Sequence, residues 1–293
     1  MLDSIIAAAL GTESRGSVPV GGGCIHDCRR LRLTDGRSVF VKVARGEKAP
    51  MLRAEASGLA RLAPHIRVPA ILAQGKEPDG TCWLVLEWLI LREKTESSWA
   101  DLGRQLASLH AVTRGSHGLS RESFAGTPRQ PFLWDRASNF IGLTPQDNTP
   151  AGSWQEFYIE RRLRPQIRLA SANGHKVPEQ EILAAAERLL ACHEPRPALL
   201  HGDLWFGNVS ALPDDTSVVF DPAPYHGDLE TDLAMLELFG RVLPASFLEA
   251  YGEFPPDRYR RRPLYDLYHA LNHLNLFGDS YARMVRSCVE EMR

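Results

Sequence analysis

Residues 199 to 208 read LLHGDLWFGN: an apolar pair, then His201, Asp203 and Asn208, with the aromatic pair Trp205 and Phe206 between them. A carboxylate such as Asp203 can accept a hydrogen bond, and then the proton, from a hydroxyl group. The amide oxygen of Asn208 is a hard donor suited to a divalent cation. So is the carboxylate of Asp221, which closes the apolar run SVVFD. Two readings compete. Polar groups at the end of a buried strand can satisfy one another in a tight turn, or they can face a ligand that needs an acid–base group and a metal site.

Phosphoryl transfer from ATP needs a phosphate cradle, a cation, Mg2+ ligands and a group that orients the attacking hydroxyl. Candidates for each occur along the chain in the order that kinases use. Gly21, Gly22, Gly23 and Cys24 lie between early strand patterns, where unhindered backbone N–H groups can approach phosphate oxygens. The run does not complete GxGxxG, because His26 stands where the third Gly belongs, and a plain hairpin fits it equally well. Lys42 lies in VFVKV, similar to the kinase V-A-I-K strand, with Glu55 on the following helical pattern as its ion-pair partner. The plainer alternatives are a solvated strand face and an exposed helix Glu. Glu87, Trp88, Leu89 and Ile90 end an apolar strand, where the backbone can pair with an adenine edge. The interval from Asp203 to Asn208 equals that of the kinase H-R-D-x-x-x-x-N loop, and Asp221 falls where a kinase carries its DFG aspartate. A structural turn accounts for one such residue but not for the ordered set. The implied roles are Asp203 as catalytic base, Asn208 and Asp221 as Mg2+ ligands, and Lys42 held toward the ATP phosphates by Glu55. His201 and Asp232 are structural support, Asp232 by accepting backbone N–H bonds from the catalytic loop.

The elements that must position these residues fall into two blocks. In the first ninety residues, CRRLRLTDGRSVFVKV forms two alternating segments joined at the hairpin signal Asp35-Gly36. A helical pattern with Met51, Leu52, Leu59 and Leu62 on one face follows, then two strands around PDG. Beyond them, SSWADLGRQLASLHAV reads as a helix with a Ser cap, residues 115 to 152 as one long loop, and the remainder mostly as helices around PALL and SVVFD. The predicted fold class is α+β and bilobal: a small β-rich lobe over 1–89, a larger helical lobe over 90–293, and a cleft between them.

Bulk properties narrow the partners. The 293 residues are 44% hydrophobic and 24% charged, with a formal charge of −2 and a pI of about 6.6. That balance offers no basic field for nucleic acid or an anionic membrane. No apolar run approaches the length of a membrane helix, and MLDSIIAAALG reads as a short helix ended by Gly11 rather than a signal peptide. The five cysteines form no CxxC pair and no disulfide framework. A cytoplasmic protein, monomeric or weakly dimeric, is expected.

DPAPYHGDLETDLAM runs from Asp221 directly into a helical pattern, leaving no room for a peptide-docking segment, so the acceptor should be a small molecule. The sequence resembles the fructosamine/ketosamine-3-kinase family, related to the aminoglycoside phosphotransferases. The likeness rests on GGGCI, VFVKV, LVLEWL, NFIG with Gln146 and Asn148, WQEFYIERRL, LLHGDLWFGN, DPAPYHGDLETDLAMLELFG and LNHLNLFG. It implies a protein-kinase-like fold and ATP-dependent phosphorylation of the 3-hydroxyl of a ketosamine, free or protein-bound. It further implies adenine contacts from Glu87 to Ile90, while the chain departs from the family pattern at His226, Asp228 and Leu229. A ketosamine carries a protonated amine, so Trp205 is the candidate aromatic wall of its pocket and Asp228 the anion, with Glu230 behind. Helix N-terminal charge is the competing role for the two acids. A kinase for an aminoglycoside or amino alcohol, and a nucleotide-binding pseudokinase, remain as alternatives. A metal hydrolase finds no paired-His spacing to support it.

Overall fold

Period-two alternation in the first ninety residues builds an antiparallel sheet of five strands in the order β1-β2-β3-β5-β4. The strands are β1 (Ser14–Pro19), β2 (Asp27–Leu33), β3 (Ser38–Ala44), β4 (Ile71–Lys76) and β5 (Cys82–Glu87). The computed structural model describes residues 2–21, 25–119 and 138–293. On one face of the sheet, Ile6 and Ala7 of α1 (Leu2–Ala9) pack on Leu31, Leu33, Val39, Val41 and Val43. On the other, Leu52, Ala56 and Leu59 of α2 (Ala49–Leu62) meet Leu84 and Leu86. This second cluster continues without a break through Leu102, Leu106 and Leu109 to Leu199, Leu204 and Val219. The sheet and the helical part therefore share apolar packing behind the cleft.

The helical part begins with α3 (Glu96–His110). Its cap is Thr95 rather than a Ser: the extended backbone at Thr95 aims its hydroxyl at the N–H of Ser98, and Ser98 Oγ accepts from Thr95 N in return. A third core cluster forms around Trp154, Phe157, Tyr158, Leu163, Leu264, Tyr265, Leu267 and Leu271. It joins α4 (Trp154–Tyr158), a π-helical turn (Ile159–Leu163), α5 (Arg164–Ala172), α6 (Glu179–Leu190) and α9 (Arg258–Phe277). Helices α7 (Glu230–Leu236), α8 (Ala245–Tyr251) and α10 (Ala282–Glu291) complete this part. Among the described residues, no helix is long and apolar enough to cross a membrane.

Two strand pairs bracket the LLHGDLWFGN segment. Strand β8 (Ala198–Leu199) pairs with β11 (His226–Gly227), and β9 (Val209–Ala211) with β10 (Ser217–Val219). The expected single loop over 115–152 needs correction. It contains a hairpin, β6 (Ser138–Ile141) with β7 (Thr144–Asp147), turning at Gly142 with φ +58. Four-residue strands with Pro145 inside one of them are too short and too Pro-marked to stand out from a loop. Residues 120–137 of that stretch, and the predicted phosphate-loop residues Gly22, Gly23 and Cys24, lie outside the described residues.

Candidate active site

Lys42 sits on the central strand of the sheet, where the alternation that buries Val41 and Val43 on one face turns its side chain to the other. Its Nζ donates to Glu55 Oε1 at 2.6 Å and to Asp221 Oδ1 at 2.5 Å, so one cation joins the sheet, α2 and the helical part. Burial works against the ammonium, but Asp221 and Glu55 outweigh it and keep Lys42 charged far above neutrality. Burial pushes Glu55 upward against the pull of Lys42. For Asp221 the same contest goes the other way: Lys42 overrides burial and holds the carboxyl below the usual range. Asp221 has a left-handed backbone (φ +50), which Asp tolerates better than most residues, and this turns the chain out of β10.

The catalytic-loop candidates are braced from below. The buried Asp232 accepts the N–H of His201 at 2.7 Å and of Gly202 at 2.9 Å, and contacts His110 Nε2 at 3.2 Å. Burial alone would raise this carboxyl; the His110 bond and the Gly202 N–H outweigh it and hold Asp232 below the usual carboxylate range. Gly202 has φ +80, and a Cβ there would lie 2.1 Å from Ala223 O, so only glycine fits. His201 is buried and neutral, its Nδ1 accepting the N–H of Asp203 at 3.3 Å. Asn208 turns its amide nitrogen onto Asp203, 2.8 Å from the main-chain oxygen and 3.3 Å from Oδ2. That leaves the Asn208 amide oxygen as the donor atom for a cation. Burial, reinforced by Asp221, pushes Asp203 up to about 8 against the opposing bond from Asn208.

These groups face two adjoining cavities, one of about 680 Å³ and one of about 210 Å³. Both are lined by Cys28, Lys42, Glu55, Trp205, Asn208 and Asp221. The larger is walled by Phe40, Leu59, Leu86 and Phe220 and reaches the strand end at Glu87, Trp88 and Leu89, a shape suited to a nucleotide. The smaller adds Asp203, His26, Asn139, Phe140 and Gly142. Two hard oxygen donors, Asn208 and Asp221, border both cavities, and this donor set fits Mg2+.

Comparison with known proteins places this arrangement. The sequence matches the fructosamine kinase family over residues 3–293. The chain belongs to that family. It is 39% identical over 279 residues to a probable ketoamine kinase of Synechocystis, covering 93% of this chain and 88% of that one. It is 35% identical over 281 residues to the chloroplastic protein-ribulosamine 3-kinase of Arabidopsis thaliana, with 93% and 81% covered. A crystal structure of a candidate fructosamine-3-kinase from Thermobifida fusca superposes with a TM-score of 0.81 at 32% identity, covering 98% of both chains. A crystal structure of an aminoglycoside phosphotransferase superposes at 0.58 with 13% identity, covering 99% and 96%, a likeness of fold alone. The fold of this fructosamine kinase family member is the protein-kinase-like one.

The remaining predicted residues divide. Gly21 borders the larger cavity, and Trp205, 41% exposed, lies across Gly207, where a Cβ would come within 2.2 Å of the indole. The Glu87 carboxylate turns away to accept from Arg67 Nη1 and from the N–H of Ala70. Ile90 is 65% exposed and borders neither cavity. The reading of Asp228 and Glu230 as acceptor contacts needs correction, since both are buried and neither borders a cavity. Asp228 Oδ2 contacts His193 Nε2 and accepts from Tyr265 Oη, each at 2.6 Å, and Glu230 is clasped by the Arg261 guanidinium. Burial pushes Glu230 upward while Arg261 opposes it. The charges that looked available for a substrate amine are consumed inside the fold.

Sequence reasoning missed Lys94, which borders the larger cavity and donates to Val209 O at 2.8 Å with its Nζ 3.6 Å from the Phe206 ring centre. It also missed Cys28, whose thiol burial pushes up to about 11, and gave no site role to Asn139, Phe140 and Gly142, which it quoted only within NFIG. The one local signal for the hairpin was Gly142, at the turn before Thr144.

Proposed function

We propose that this protein transfers the γ-phosphoryl group of ATP, with Mg2+, to the 3-hydroxyl of a ketosamine. The observation that carries this reading is the meeting of Lys42, Glu55, Asp203, Asn208 and Asp221 around two adjoining cavities. In this reading 1–89 forms the nucleotide lobe and 90–293 the acceptor lobe. Glu55 keeps Lys42 extended toward the phosphates. In its ionised form Asp203 accepts the hydrogen bond of the attacking hydroxyl and then its proton; a carboxylate whose pKa is raised by burial is a stronger base than a solvated one. Asn208 and Asp221 would hold Mg2+, which neutralises charge on the phosphates when bound. The Trp205 ring offers a face to the protonated amine of the ketosamine. The buried free cysteines Cys28, Cys82 and Cys288 accord with a reducing cytoplasm.

The test is ATP consumption against a panel of ribulosamine, erythrulosamine, fructosamine, aminoglycosides and amino alcohols, with the phosphorylated position read by phosphorus NMR. Ketosamine-dependent turnover with phosphate on the 3-oxygen is the expected result. Turnover with an aminoglycoside alone would move the assignment to that class, and nucleotide binding without turnover would make the protein a pseudokinase.

A further inference from the structure

Arg162 is fully buried on the π-helical turn, and among the described residues no carboxylate pairs with it. Its guanidinium lies 4.7 Å from the ring centre of Phe157 and 4.2 Å from that of Tyr225. It donates to the main-chain oxygens of Asp147, at 2.9 Å, and Arg161, and to Asn148 Oδ1. A buried cation held only by neutral acceptors and ring faces is costly to keep, and here it starts a chain of bonds. Asn148 Nδ2 donates to Asn139 Oδ1 at 2.9 Å, and Asn139 Nδ2 donates to Pro224 O at 3.1 Å. Chemistry fixes the direction at both ends. A guanidinium can only donate and a carbonyl can only accept, so each amide between them has a single working orientation.

The chain ends at two parts of the site. Asn139 belongs to the β6–β7 hairpin and borders the smaller cavity beside Asp203 and Asp221, and Pro224 is three residues beyond Asp221. The hairpin is held from α9 as well: Gln146 donates to Tyr268 Oη at 2.6 Å, Thr144 to Asn272 Oδ1 at 2.7 Å, and Leu276 lies beneath Gly142. We propose that Arg162 is a positioning residue for the phosphoryl acceptor, setting through Asn148 and Asn139 how far the hairpin stands from the Asp221 segment. Arg162 borders neither cavity, so it acts at a distance. The assignment rests on the proposed function, with the smaller cavity, which Asp203 borders, taken as the acceptor side.

Asn148→Asp separates positioning from stability. The new carboxylate pairs with Arg162 and relieves the buried charge, but it has no N–H for Asn139. Asn139 must then either face an oxygen or turn its amide and release Pro224. The expected result is a KM for the acceptor raised about 3- to 10-fold, the loss of one hydrogen bond. The KM for ATP should stay within about twofold and the melting temperature should not fall. Arg162→Lys, which keeps the charge but not the fork, should shift the acceptor KM in the same direction and serves if the first variant does not fold. An acceptor KM unchanged in both variants, or both KM values rising together as Tm drops, overturns the proposal. The kinetics use whichever acceptor of the panel the wild-type protein phosphorylates. Failure of the ketosamine reading and failure of the relay are then separate results.

Discussion

Replacing Asp203 with Asn should move activity and stability in opposite directions. The amide keeps the shape of the side chain and can still accept from Asn208, which approaches Oδ2 at 3.3 Å. It cannot take a proton from the acceptor hydroxyl, so the rate should drop about 10²- to 10⁴-fold, equivalent to about 3–5 kcal/mol of barrier. Stability should rise. Burial and the neighbouring Asp221 push Asp203 up to about 8, so the folded protein holds a proton there that the unfolded chain releases near pH 4. The contribution of this one group to stability therefore declines as pH rises from about 4 to about 8, and Asn removes that decline. Each pKa unit corresponds to about 1.4 kcal/mol. The side chain is only partly buried, so the gain at pH 8 should be about 1–2 kcal/mol, or about 2–6 °C in melting temperature. Coupled-assay kinetics and calorimetry at pH 5 and pH 8 read both effects. A variant keeping more than about a tenth of the wild-type rate refutes the role of Asp203 in the chemistry, and a lower Tm at pH 8 refutes the electrostatic account.

Asp221→Ala should abolish turnover and remove the Mg2+-dependent part of ATP affinity measured by titration calorimetry, because a charged hard ligand is lost. Asn208→Ala should weaken the same quantity less, being neutral, and an Asp221→Ala protein with normal Mg2+ dependence would contradict the metal assignment. Asp228→Asn should lower stability by about 1–3 kcal/mol through the bonds to His193 and Tyr265 and leave the ketosamine KM unchanged; a selective rise in that KM would return Asp228 to the acceptor site. Burial lowers His117 and His226 to about 4 and His269 to about 3, so each stays neutral in the fold below the pH at which the unfolded chain takes up protons. The part of stability owed to these three histidines should therefore fall as pH drops from about 6.5 toward 4. Urea midpoints of the protein and of His269→Gln at pH 7, 5.5 and 4.5 check this, and a gap between the two that does not change with pH would count against it.

The legible parts were those where a local rule and the final geometry coincide. The Asp35-Gly36 turn and the alternation around it specify β2 and β3 without help from the remainder of the chain. That Lys42, Asp203, Asn208 and Asp221 meet in one cleft was readable because the motifs that suggest it depend on order and spacing, which a linear sequence preserves. The fate of Asp228 and Glu230 was not readable. Their partners are His193, Tyr265 and Arg261, which lie between 31 and 37 residues away and meet them only after α7 and α9 pack. The hairpin was missed for a similar reason. Four-residue strands have little pattern of their own, and their support comes from Arg162, Tyr268 and Asn272 in other elements. Motifs quoted separately in the sequence, NFIG, WQEFYIERRL and LNHLNLFG, thus converge on one small piece of structure.

The stretch from Asp221 to α7 carries a consequence for control. Ala223 N–H bonds to His201 O, Tyr225 O accepts from Leu200, and His226–Gly227 pairs with β8, so the segment is stitched onto the strand that leads to Asp203. Lys42 already holds both Glu55 and Asp221. Among the described residues, nothing in this arrangement waits for a covalent signal to assemble it. Such a catalyst has no threshold: below saturation its output follows the concentration of its acceptor in simple proportion. In a cell, its workload would be set by the rate at which sugars attach to amines.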